Sequence, residues 1–382
     1  MSDANDLNKL RLDIDRLDDA LLKLLNERAS VSQKIGAAKR QEQGAGAAPA
    51  AVFRPEREAH VLRRLQDANA GPLPNEAVSR IYHEIMSASS ALQHPIRVAY
   101  LGPAGTFSEQ AVIKQFGRSA IAVPCANFDE VFRRTETGET DFSVVPVENS
   151  TEGAISRALD LLLTTPLKIC SEVVVRVQQN LMRNADSAKA GTAGTAGTTG
   201  MAGITKVYSH AQSLAQTQGW LNRNLPGVDR ITVESNAEAA RLASLDSSTA
   251  AIAGLNAAEN YGLTVLAANI EDDATNRTRF IVAGKIDAQR SGRDRTWLVM
   301  SAPNKPGAVH ALLTPFAKHG VSMTKLESRP AKIASMPGSW EYLFYVDIEG
   351  HQQDTVVAKA LDELKEIAPY LKIFGSFPVG DY

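Results

Sequence analysis

The chain has 382 residues, 44% of them hydrophobic, and a formal net charge of −2, which suits two or three domains that each bury a core. Charge this near neutral gives no field that would attract nucleic acid or an anionic membrane, so an anionic ligand must be bound by local cations. Cys125 and Cys170 form no ligand-like cluster, and no apolar run approaches the roughly 18 residues of a membrane span, so we expect a cytoplasmic protein with reduced thiols.

Residues 1–95 predict an all-helical domain. Apolar residues spaced alternately four and three apart from Leu10 to Ala38 indicate a heptad seam on one long helix. Glycines and a proline then break the pattern, and Pro55 suits the first turn of a second helix. A third helix is predicted over residues 75–92.

Three cations on the first helix indicate an anionic ligand. Arg28 interrupts the apolar seam, and a charge placed there needs either a structural ion-pair partner or a ligand. Lys39 follows about 20° around the helix and roughly 16 Å along its axis, so both side chains can reach one small anion. Arg11 lies about 25 Å away in the other direction and roughly 100° around. If Arg11 is functional, it serves the pocket of a partner subunit, which predicts an intertwined symmetric dimer.

Residues 6–94 resemble the all-helical chorismate mutases found at the N-terminus of bifunctional enzymes of aromatic biosynthesis. The resemblance rests on the three cations and on polar side chains of the second and third helices, with Arg54 standing where some members have an aspartate. It implies a substrate-binding set of Arg11, Arg28, Lys39, Arg54, Arg57, Glu58, Ser89 and Gln93.

The implied reaction rearranges chorismate to prephenate. This pericyclic step needs no nucleophile, cofactor or metal, because the protein has only to select a compact conformer and stabilise charge on the breaking ether oxygen. By resemblance, Lys39 and Gln93 donate to the ether oxygen, Glu58 accepts from the ring hydroxyl and Ser89 contacts a carboxylate. The arginines would hold the two carboxylates with their forked donors.

Residues 96–284 predict a layered α/β domain, because short β-rich runs alternate with loops and helices. Within it, residues 188–203 repeat Ala-Gly-Thr with almost no charge or bulk, which indicates a flexible surface insertion. Polar residues stand at the ends of several predicted strands, the edge at which open α/β sheets bind ligands. The candidates at these positions are Thr106, Asn149, Ser150, Ser209, His210, Thr278, Arg279 and Phe280.

Taken singly, these residues also have ordinary structural interpretations. Thr106 and Glu109 form a capping box beside glycines, which is both a common strand-to-helix turn and a potential anion site. Arg279 is equally an edge charge, Thr278 a β-forming residue and His210 a structural histidine.

As a set, three motifs over about residues 96–283 resemble prephenate dehydratase: Leu-Gly-Pro-x-Gly-Thr-Phe-Ser, Val-Glu-Asn-Ser and Thr-Arg-Phe. That family folds as two lobes about a cleft, like a periplasmic binding protein, so we expect the polar strand ends to face one another. The implied reaction removes carbon dioxide and the ring hydroxide from prephenate together. Thr278 is the candidate donor to the leaving hydroxyl, and the other residues of the set are candidates for substrate binding.

Residues 295–378 alternate as strand, helix, strand, strand, helix, strand, the βαββαβ order of a ferredoxin-like fold. A strand-to-helix turn and a later Glu-Ser-Arg-Pro run resemble the phenylalanine-binding motifs of the ACT regulatory domain, with Val309 where leucine is usual. A purely structural dimerisation module is the alternative. The resemblance implies an effector site of Asn304, Gly307, Ala308, Val309, Leu312, Glu327, Ser328, Arg329 and Pro330.

The three regions together predict a bifunctional chorismate mutase and prephenate dehydratase of phenylalanine biosynthesis. Its expected small-molecule partners are chorismate, prephenate and the feedback inhibitor L-phenylalanine, without a cofactor, a nucleic acid or a membrane. We expect a homodimer with intertwined mutase helices. The alternative is an amino-acid-responsive two-lobed binding or regulatory protein that has one of the activities or neither.

Overall fold

The computed structural model describes five stretches of the chain: residues 2–43, 53–185, 200–303, 305–330 and 342–380. They belong to two compact units, of which the first comprises Met1–Ile96 with Phe116–Ile121 and the second comprises the remainder. The Ala-Gly-Thr repeat up to residue 199 and Asn304 lie outside the described residues. In the part of the chain that is described, no helix combines the length and apolar character that a membrane crossing requires.

Three helices form the first unit, as the sequence predicts: α1 (Ser2–Gln43), α2 (Pro55–Ala68) and α3 (Asn75–Ala91). Helix α3 packs against both α1 and α2. Pro55 opens α2, where its missing N–H group is not needed for a helical hydrogen bond. The loop before α2 is anchored by Phe53, whose buried ring lies 4.7 Å from the ring of Phe116.

The heptad seam of α1 is exposed. Its side chains are between 49% and 62% accessible, whereas the side chains of a folded core are buried. A contiguous apolar stripe on a surface marks an interaction site. The exposed seam consists of Leu10, Ile14, Leu17, Leu21, Leu24, Val31 and Ile35.

The second unit begins with a two-lobed α/β region. Its first lobe contains β1 (Arg97–Leu101), α4 (Phe107–Phe116), β2 (Ile121–Cys125), α5 (Phe128–Thr137), β3 (Phe142–Asn149), β4 (Gly153–Ala154), α6 (Ser156–Thr164) and β5 (Lys168–Arg176). Its second lobe contains β6 (Asn180–Asn184), β7 (Lys206–Ser209), α7 (Ala211–Gln216), α8 (Gln218–Asn224), β8 (Asp229–Thr232), α9 (Asn236–Leu245), β9 (Thr249–Ala253), α10 (Leu255–Tyr261) and β10 (Leu263–Ala267). The chain then returns to the first lobe as β11 (Arg277–Gly284).

The first lobe is a mixed sheet in the order β2-β1-β3-β11-β5, with β4 paired to β3. Strands β1 and β3 are parallel, whereas β11 runs antiparallel to both of its neighbours. Strand β2 contains Pro124, and a proline is tolerated at a sheet edge, where β2 lies. The almost fully buried β11 occupies the interior of the sheet.

The second lobe is a sheet in the order β10-β6-β9-β7-β8. Strand β7 is parallel to β8 and β9, and β6 is antiparallel to β9 and β10. One connection between the lobes joins β5 to β6, and the other joins β10 to β11. Because β5 and β11 are neighbours, with Arg176 paired to Arg277, both connections leave the first lobe side by side.

The C-terminal region has the predicted βαββαβ order: β12 (Asp294–Ser301), α11 (Ala308–Lys318), β13 (Met323–Pro330), β14 (Tyr342–Glu349), α12 (Thr355–Ile367) and β15 (Leu371–Pro378). Its sheet has the order β13-β14-β12-β15, and one face packs against α11 and α12. The other face packs on the first lobe, where Trp297, Tyr345 and Phe374 share a core with Leu159 and Ile169. The C-terminal sheet is thus built onto the α/β region through apolar contact.

The packing of β15 on β5 leaves no room for a side chain at Gly375, because a Cβ atom there would lie 2.0 Å from Ile169 O. We expect Gly375→Ala to destabilise the protein by roughly 1–3 kcal/mol, since the backbone of one strand must shift. The measurement is the thermal midpoint followed by tryptophan fluorescence, to which the buried Trp297 contributes. The control is Gly71→Ala, whose Cβ would meet its nearest atom at 3.6 Å. Equal midpoints for both variants would contradict the close packing.

Candidate active sites and regulatory site

Three residues of the predicted chorismate pocket meet between α1 and α3. Arg28 Nη1 donates to Ser89 Oγ at 2.6 Å, and Gln93 Nε2 donates to Ser32 Oγ at 2.6 Å. Gly36 makes room for Gln93, since a Cβ atom there would lie 2.9 Å from Gln93 Oε1. The members on α1 are four residues apart, so one face of α1 meets the end of α3, with Ser89 in the last turn of α3 and Gln93 just beyond it.

The other cations predicted for this pocket remain accessible. Lys39 is half-buried near the end of α1, and Arg54 and Arg57 are exposed at the start of α2. Arg11 is exposed near the opposite end of α1, about 25 Å from Arg28 by the rise of the helix. The length of the helix therefore separates Arg11 from the pocket that Arg28 enters.

The carboxyl group of Glu58 has a strongly shifted pKa. Burial raises it to about 8, and the neighbouring Glu56 carboxylate adds to the rise. Glu56 also lies beside Arg54, whose Nη1 is 3.6 Å from Glu56 Oε1. An acid with such a pKa is mostly protonated at neutral pH, so Glu58 presents a neutral carboxyl group on α2.

A cleft of about 490 Å³ lies between the two lobes, and strand ends and helix starts of both lobes line it. Five of the predicted residues line it. Thr106, Asn149, Thr278 and Phe280 belong to the first lobe, and His210 belongs to the second. The fold thus brings together predicted residues that are far apart in sequence. Within the described ranges, no group of three or more His, Cys, Asp or Glu side chains is arranged to hold a metal ion.

Asn149 and Thr278 form the centre of the first-lobe wall. They are paired across β3 and β11, and Asn149 Nδ2 donates to Thr278 Oγ1 at 2.9 Å. The same amide nitrogen also donates to Asn276 Oδ1 at 3.0 Å. Because Thr278 Oγ1 accepts the bond from Asn149, its own O–H is left to donate to a ligand in the cleft.

A network of polar side chains in the second-lobe wall was not anticipated from the sequence. Ser213 Oγ accepts hydrogen bonds from Asn236 Nδ2 at 2.8 Å and from Gln179 Nε2 at 2.9 Å. Gln179 Oε1 and Gln216 Nε2 are buried without a hydrogen-bond partner among the described residues, so both atoms are available to a ligand. The only local signal was polar spacing after a strand end, with Ser213 and Gln216 one turn apart.

Two helices begin at the cleft, one from each lobe. Thr106 Oγ1 accepts from Glu109 N at 3.4 Å and Glu109 Oε2 accepts from Gly105 N at 2.7 Å, close to the predicted capping box at the start of α4. Ser235 Oγ accepts from Glu238 N at 3.0 Å at the start of α9. Helix N-termini carry a partial positive charge, so both walls favour an anionic group.

Three further predicted residues support the walls of the cleft. Ser209 Oγ donates to Asn236 Oδ1 at 3.0 Å and thereby orients this amide. His210 Nδ1 accepts from a backbone N–H group in the first turn of α7 at 3.4 Å. Ser150 Oγ accepts from the first backbone N–H group of β11 at 2.9 Å. Ser209 and Ser150 thus form hydrogen bonds with residues that surround the cleft, and His210 lines the cleft itself.

Arg279 lies on the opposite face of β11 from Thr278. Its Nε is 2.8 Å from Glu172 Oε2 and its Nη1 is 2.6 Å from Asp347 Oδ2. Successive side chains of a strand point to opposite faces, so the neighbour of a residue in the cleft enters the protein behind it. The structure therefore places the guanidinium against the C-terminal domain, which contributes Asp347 from β14, and away from the cleft.

The first group of predicted effector residues lies where α11 begins. Gly307 has a φ of +77°, the left-handed region that favours glycine. Val309 is 36% exposed, whereas Ala308 is buried. Leu312 is buried in the core between the helices and the sheet, so its side chain supports the turn from inside.

The second group lies at the end of the edge strand β13. Glu327 Oε2 is 3.1 Å from Lys325 Nζ, and Arg329 Nη1 is 3.5 Å from Asp160 Oδ1 in the first lobe. Ser328 and Pro330 are exposed. The edge position leaves one side of this motif open to a ligand or to another chain.

Comparison with known proteins gives three family matches along the chain. Residues 10–94 match Chorismate mutase type II, residues 98–288 match Prephenate dehydratase and residues 296–366 match the ACT domain. The order is the one that the sequence motifs indicated.

Relatives match this chain over nearly their full length. A bifunctional chorismate mutase/prephenate dehydratase of Neisseria gonorrhoeae is 50% identical over 367 residues, which cover 96% of this chain and 95% of the relative. The protein of the same description from Pseudomonas aeruginosa is 43% identical and covers 99% of each chain. The crystal structure of a prephenate dehydratase from Arthrobacter aurescens in complex with L-Phe is similar with a TM-score of 0.64 at 32% identity, covering 74% of this chain and 90% of that one. The chain belongs to the family of bifunctional chorismate mutase/prephenate dehydratases with a C-terminal ACT domain.

Proposed function

We propose that the protein rearranges chorismate to prephenate and then converts prephenate to phenylpyruvate, under feedback inhibition by L-phenylalanine. The observation that carries the proposal is the Asn149–Thr278 pair in the cleft of a chain that matches both enzyme families. We assign the mutase to residues 1–95, the dehydratase to 96–284 and the ACT domain to 295–378. The relatives do not favour a binding protein without catalysis.

The mutase site is built around neutral hydrogen-bond partners and free positive charge. Arg28 contacts the hydroxyl of Ser89 and the carbonyl of Ile85, so its charge is available to a substrate carboxylate. Gln93 and Lys39 donate to the ether oxygen as its negative charge develops. Arg54 and Arg57 provide further candidate contacts from the exposed start of α2, and the buried Ser89 provides one beside Arg28, with no covalent step required.

A neutral Glu58 suits this reaction. The substrate carries two carboxylates, and a third negative charge beside them would oppose binding. The raised pKa keeps the carboxyl group protonated at neutral pH, so its carbonyl oxygen accepts from the ring hydroxyl without adding charge. Glu58 is therefore a binding group of the mutase whose contribution depends on its proton.

The dehydratase step requires a donor at the leaving hydroxyl. As the bond to the leaving carboxylate breaks, its electron pair enters the ring and the C–O bond to the hydroxyl breaks on the other side. Thr278, which accepts from Asn149, directs its own O–H at that oxygen. Gln216 and Gln179 supply further unused polar atoms to the substrate. The N-termini of α4 and α9, with Thr106 at the first, suit the pyruvyl carboxylate.

Phenylalanine binds at the ACT domain in this proposal. The turn of Gly307 to Val309 supplies backbone groups, and the edge-strand run from Glu327 to Pro330 supplies a carboxylate for the amino group of the effector. The solved relative from Arthrobacter aurescens was crystallised with L-Phe, which supports the ligand class. An amino acid that binds one arrangement of the chain better than another shifts the population toward it.

The exposed seam of α1 supports a homodimer with intertwined mutase helices. Seven apolar side chains at heptad spacing present a surface that a second copy of α1 would cover by knobs-into-holes packing. A two-fold arrangement would carry Arg11 of each chain to the pocket of the other. The dimer therefore accounts for the exposed seam and for the distance of Arg11 from Arg28.

We also propose that the protein works in the cytoplasm. Cys125 and Cys170 are both buried free thiols, and a reducing compartment keeps such thiols unpaired.

The two activities are expected to separate by substitution. Lys39→Ala removes a donor to the ether oxygen and should lower mutase activity about 10²- to 10³-fold while dehydratase activity is retained. Thr278→Val should have the reverse effect. Purified variants are given chorismate or prephenate, and prephenate and phenylpyruvate are followed separately.

The controls for these variants are Lys34→Ala on the same helix and Thr275→Val near the same strand, both at exposed positions. The absence of phenylpyruvate when the unmodified chain receives prephenate would refute the dehydratase assignment. Full mutase activity in Lys39→Ala would refute the mutase site.

Hybrid dimers test the role of Arg11. Arg11→Ala and Lys39→Ala subunits carrying different tags are co-expressed, and heterodimers are purified by both tags in turn. If Arg11 acts across the dimer, one of the two sites contains no substitution, and about half of the unmodified mutase activity should return. A hybrid as inactive as its parents would show that Arg11 serves its own chain.

The proton on Glu58 predicts a pH dependence of mutase activity. The group is neutral below its pKa of about 8 and negative above it, so kcat/KM for chorismate should fall as pH rises through that value. Glu58→Gln stays neutral and should keep activity near pH 7 without the alkaline loss. Dehydratase activity measured on the same samples reports whether the fold survives. The same alkaline decline in Glu58→Gln would contradict the assignment.

A further inference from the structure

The two central residues of the dehydratase cleft have neighbours that face the C-terminal domain. Strands β3 and β11 pair Asn149 with Thr278 and, at the next position, Glu148 with Arg279. Because side chains alternate along a strand, the first pair enters the cleft and the second pair lies behind it. Glu148 precedes Asn149 and Arg279 follows Thr278, so each cleft residue has a charged neighbour on the opposite face of the sheet.

One of the rear contacts is fixed. Arg279 is held between Glu172 and Asp347 at 2.8 and 2.6 Å, and these three side chains are at most 8% exposed. The guanidinium also lies 5.1 Å from the centre of the Trp297 ring. A buried charge with two hydrogen-bonded partners has little freedom to move, so Arg279 anchors β11 to the C-terminal sheet.

The other rear contact is shared. Lys325 Nζ lies 2.8 Å from Glu148 Oε2 in the dehydratase lobe and 3.1 Å from Glu327 Oε2 on its own strand. The three side chains are between 22% and 32% exposed, so they are more mobile than the buried Arg279 group. A single ammonium group therefore joins the strand of Asn149 to the predicted effector motif.

Space for movement exists at this junction. A cavity of about 320 Å³ is lined by Glu148, Arg279, Lys325 and Asp347 among others. It lies between the dehydratase strands and the β13–β14 edge of the ACT domain. Lys325 can therefore reorient toward either carboxylate without displacing the core.

We propose that Lys325, shared between Glu327 and Glu148, is the contact through which the effector reaches the dehydratase cleft. The inference rests on the proposed function and concerns the regulation of that site. The amino group of a bound amino acid takes the place of Lys325 at Glu327, and the lysine is then held by Glu148 alone. The changed contact with Lys325 moves Glu148 and with it the adjacent Asn149. Asn149 orients the hydroxyl of Thr278, and Arg279 holds the paired strand β11 in place. Glu148 and Lys325 are positioning residues, and neither contacts the substrate.

The test compares inhibition with effector binding in the full-length protein. In Lys325→Gln the factor by which saturating phenylalanine lowers kcat/KM for prephenate should fall on the order of tenfold. Its Kd for phenylalanine, measured by calorimetry, should rise by no more than about threefold, because Glu327 remains and no longer has a competing lysine. Lys325→Arg should retain inhibition. Glu148→Gln should reproduce this loss of inhibition. The double variant should lose no more inhibition than either single variant, because each of the three removes the same contact between Lys325 and Glu148.

A matched control is available on the other side of the ACT domain. Lys318 Nζ pairs with Glu363 Oε1 at 2.6 Å, and Lys318→Gln should leave inhibition unchanged. The proposal is overturned if Lys325→Gln is inhibited like the unmodified protein, or if the effects of Lys325→Gln and Glu148→Gln add. It is also overturned if phenylalanine binding is lost in step with inhibition, since Lys325 would then be only a ligand of the effector.

Failure of the proposed function would be recognised before any variant is made. An unmodified protein that forms no phenylpyruvate, or whose activity phenylalanine does not change, refutes the proposed function and this inference with it. An inhibited unmodified protein together with a Lys325→Gln variant that is inhibited to the same degree refutes the inference alone.

Discussion

A buried guanidinium must be matched by carboxylates, and Arg279 draws its two from different parts of the chain. Glu172 belongs to the neighbouring strand β5, and Asp347 belongs to the ACT domain. Removing one partner from such a group typically costs about 3–5 kcal/mol, because the remaining charge stays buried. The ACT sheet therefore completes the dehydratase lobe electrostatically as well as through the apolar core around Trp297. For this reason the ACT domain and the dehydratase lobe form one folded unit.

Much of this architecture can be predicted from local sequence. Periodicity identifies the three mutase helices, and the βαββαβ order identifies the ACT domain. Asn149 and Thr278 are found because polar residues at strand ends meet at one edge of a sheet. Ser213 and its partners were missed because their contacts join segments far apart in sequence and exist only once the second lobe has folded. No local sequence pattern predicts a contact between segments that are so far apart along the chain.

Arg279 shows a different limit of reasoning from motifs. Three consecutive residues recognised as one functional run were expected to act in one place. Strand geometry divides them, since Thr278 and Phe280 line the cleft and Arg279 enters the opposite side. The period of two was available from the sequence, but the identity of the layer behind β11 was not. The same holds for the seam of α1. Its spacing identifies an apolar face but does not identify the partner that covers this face.

The second lobe is an insertion between two hydrogen-bonded neighbours. Its chain leaves at the end of β5 and returns at the start of β11, where Arg176 and Arg277 are paired. Two parallel tethers that start side by side act as one hinge, and bending there leaves every strand pair of the first sheet intact. Opening the cleft to admit prephenate therefore needs no break in the sheet that carries Asn149 and Thr278. The same geometry would let the lobe change in length or sequence during evolution while the sheet beneath it stays constant.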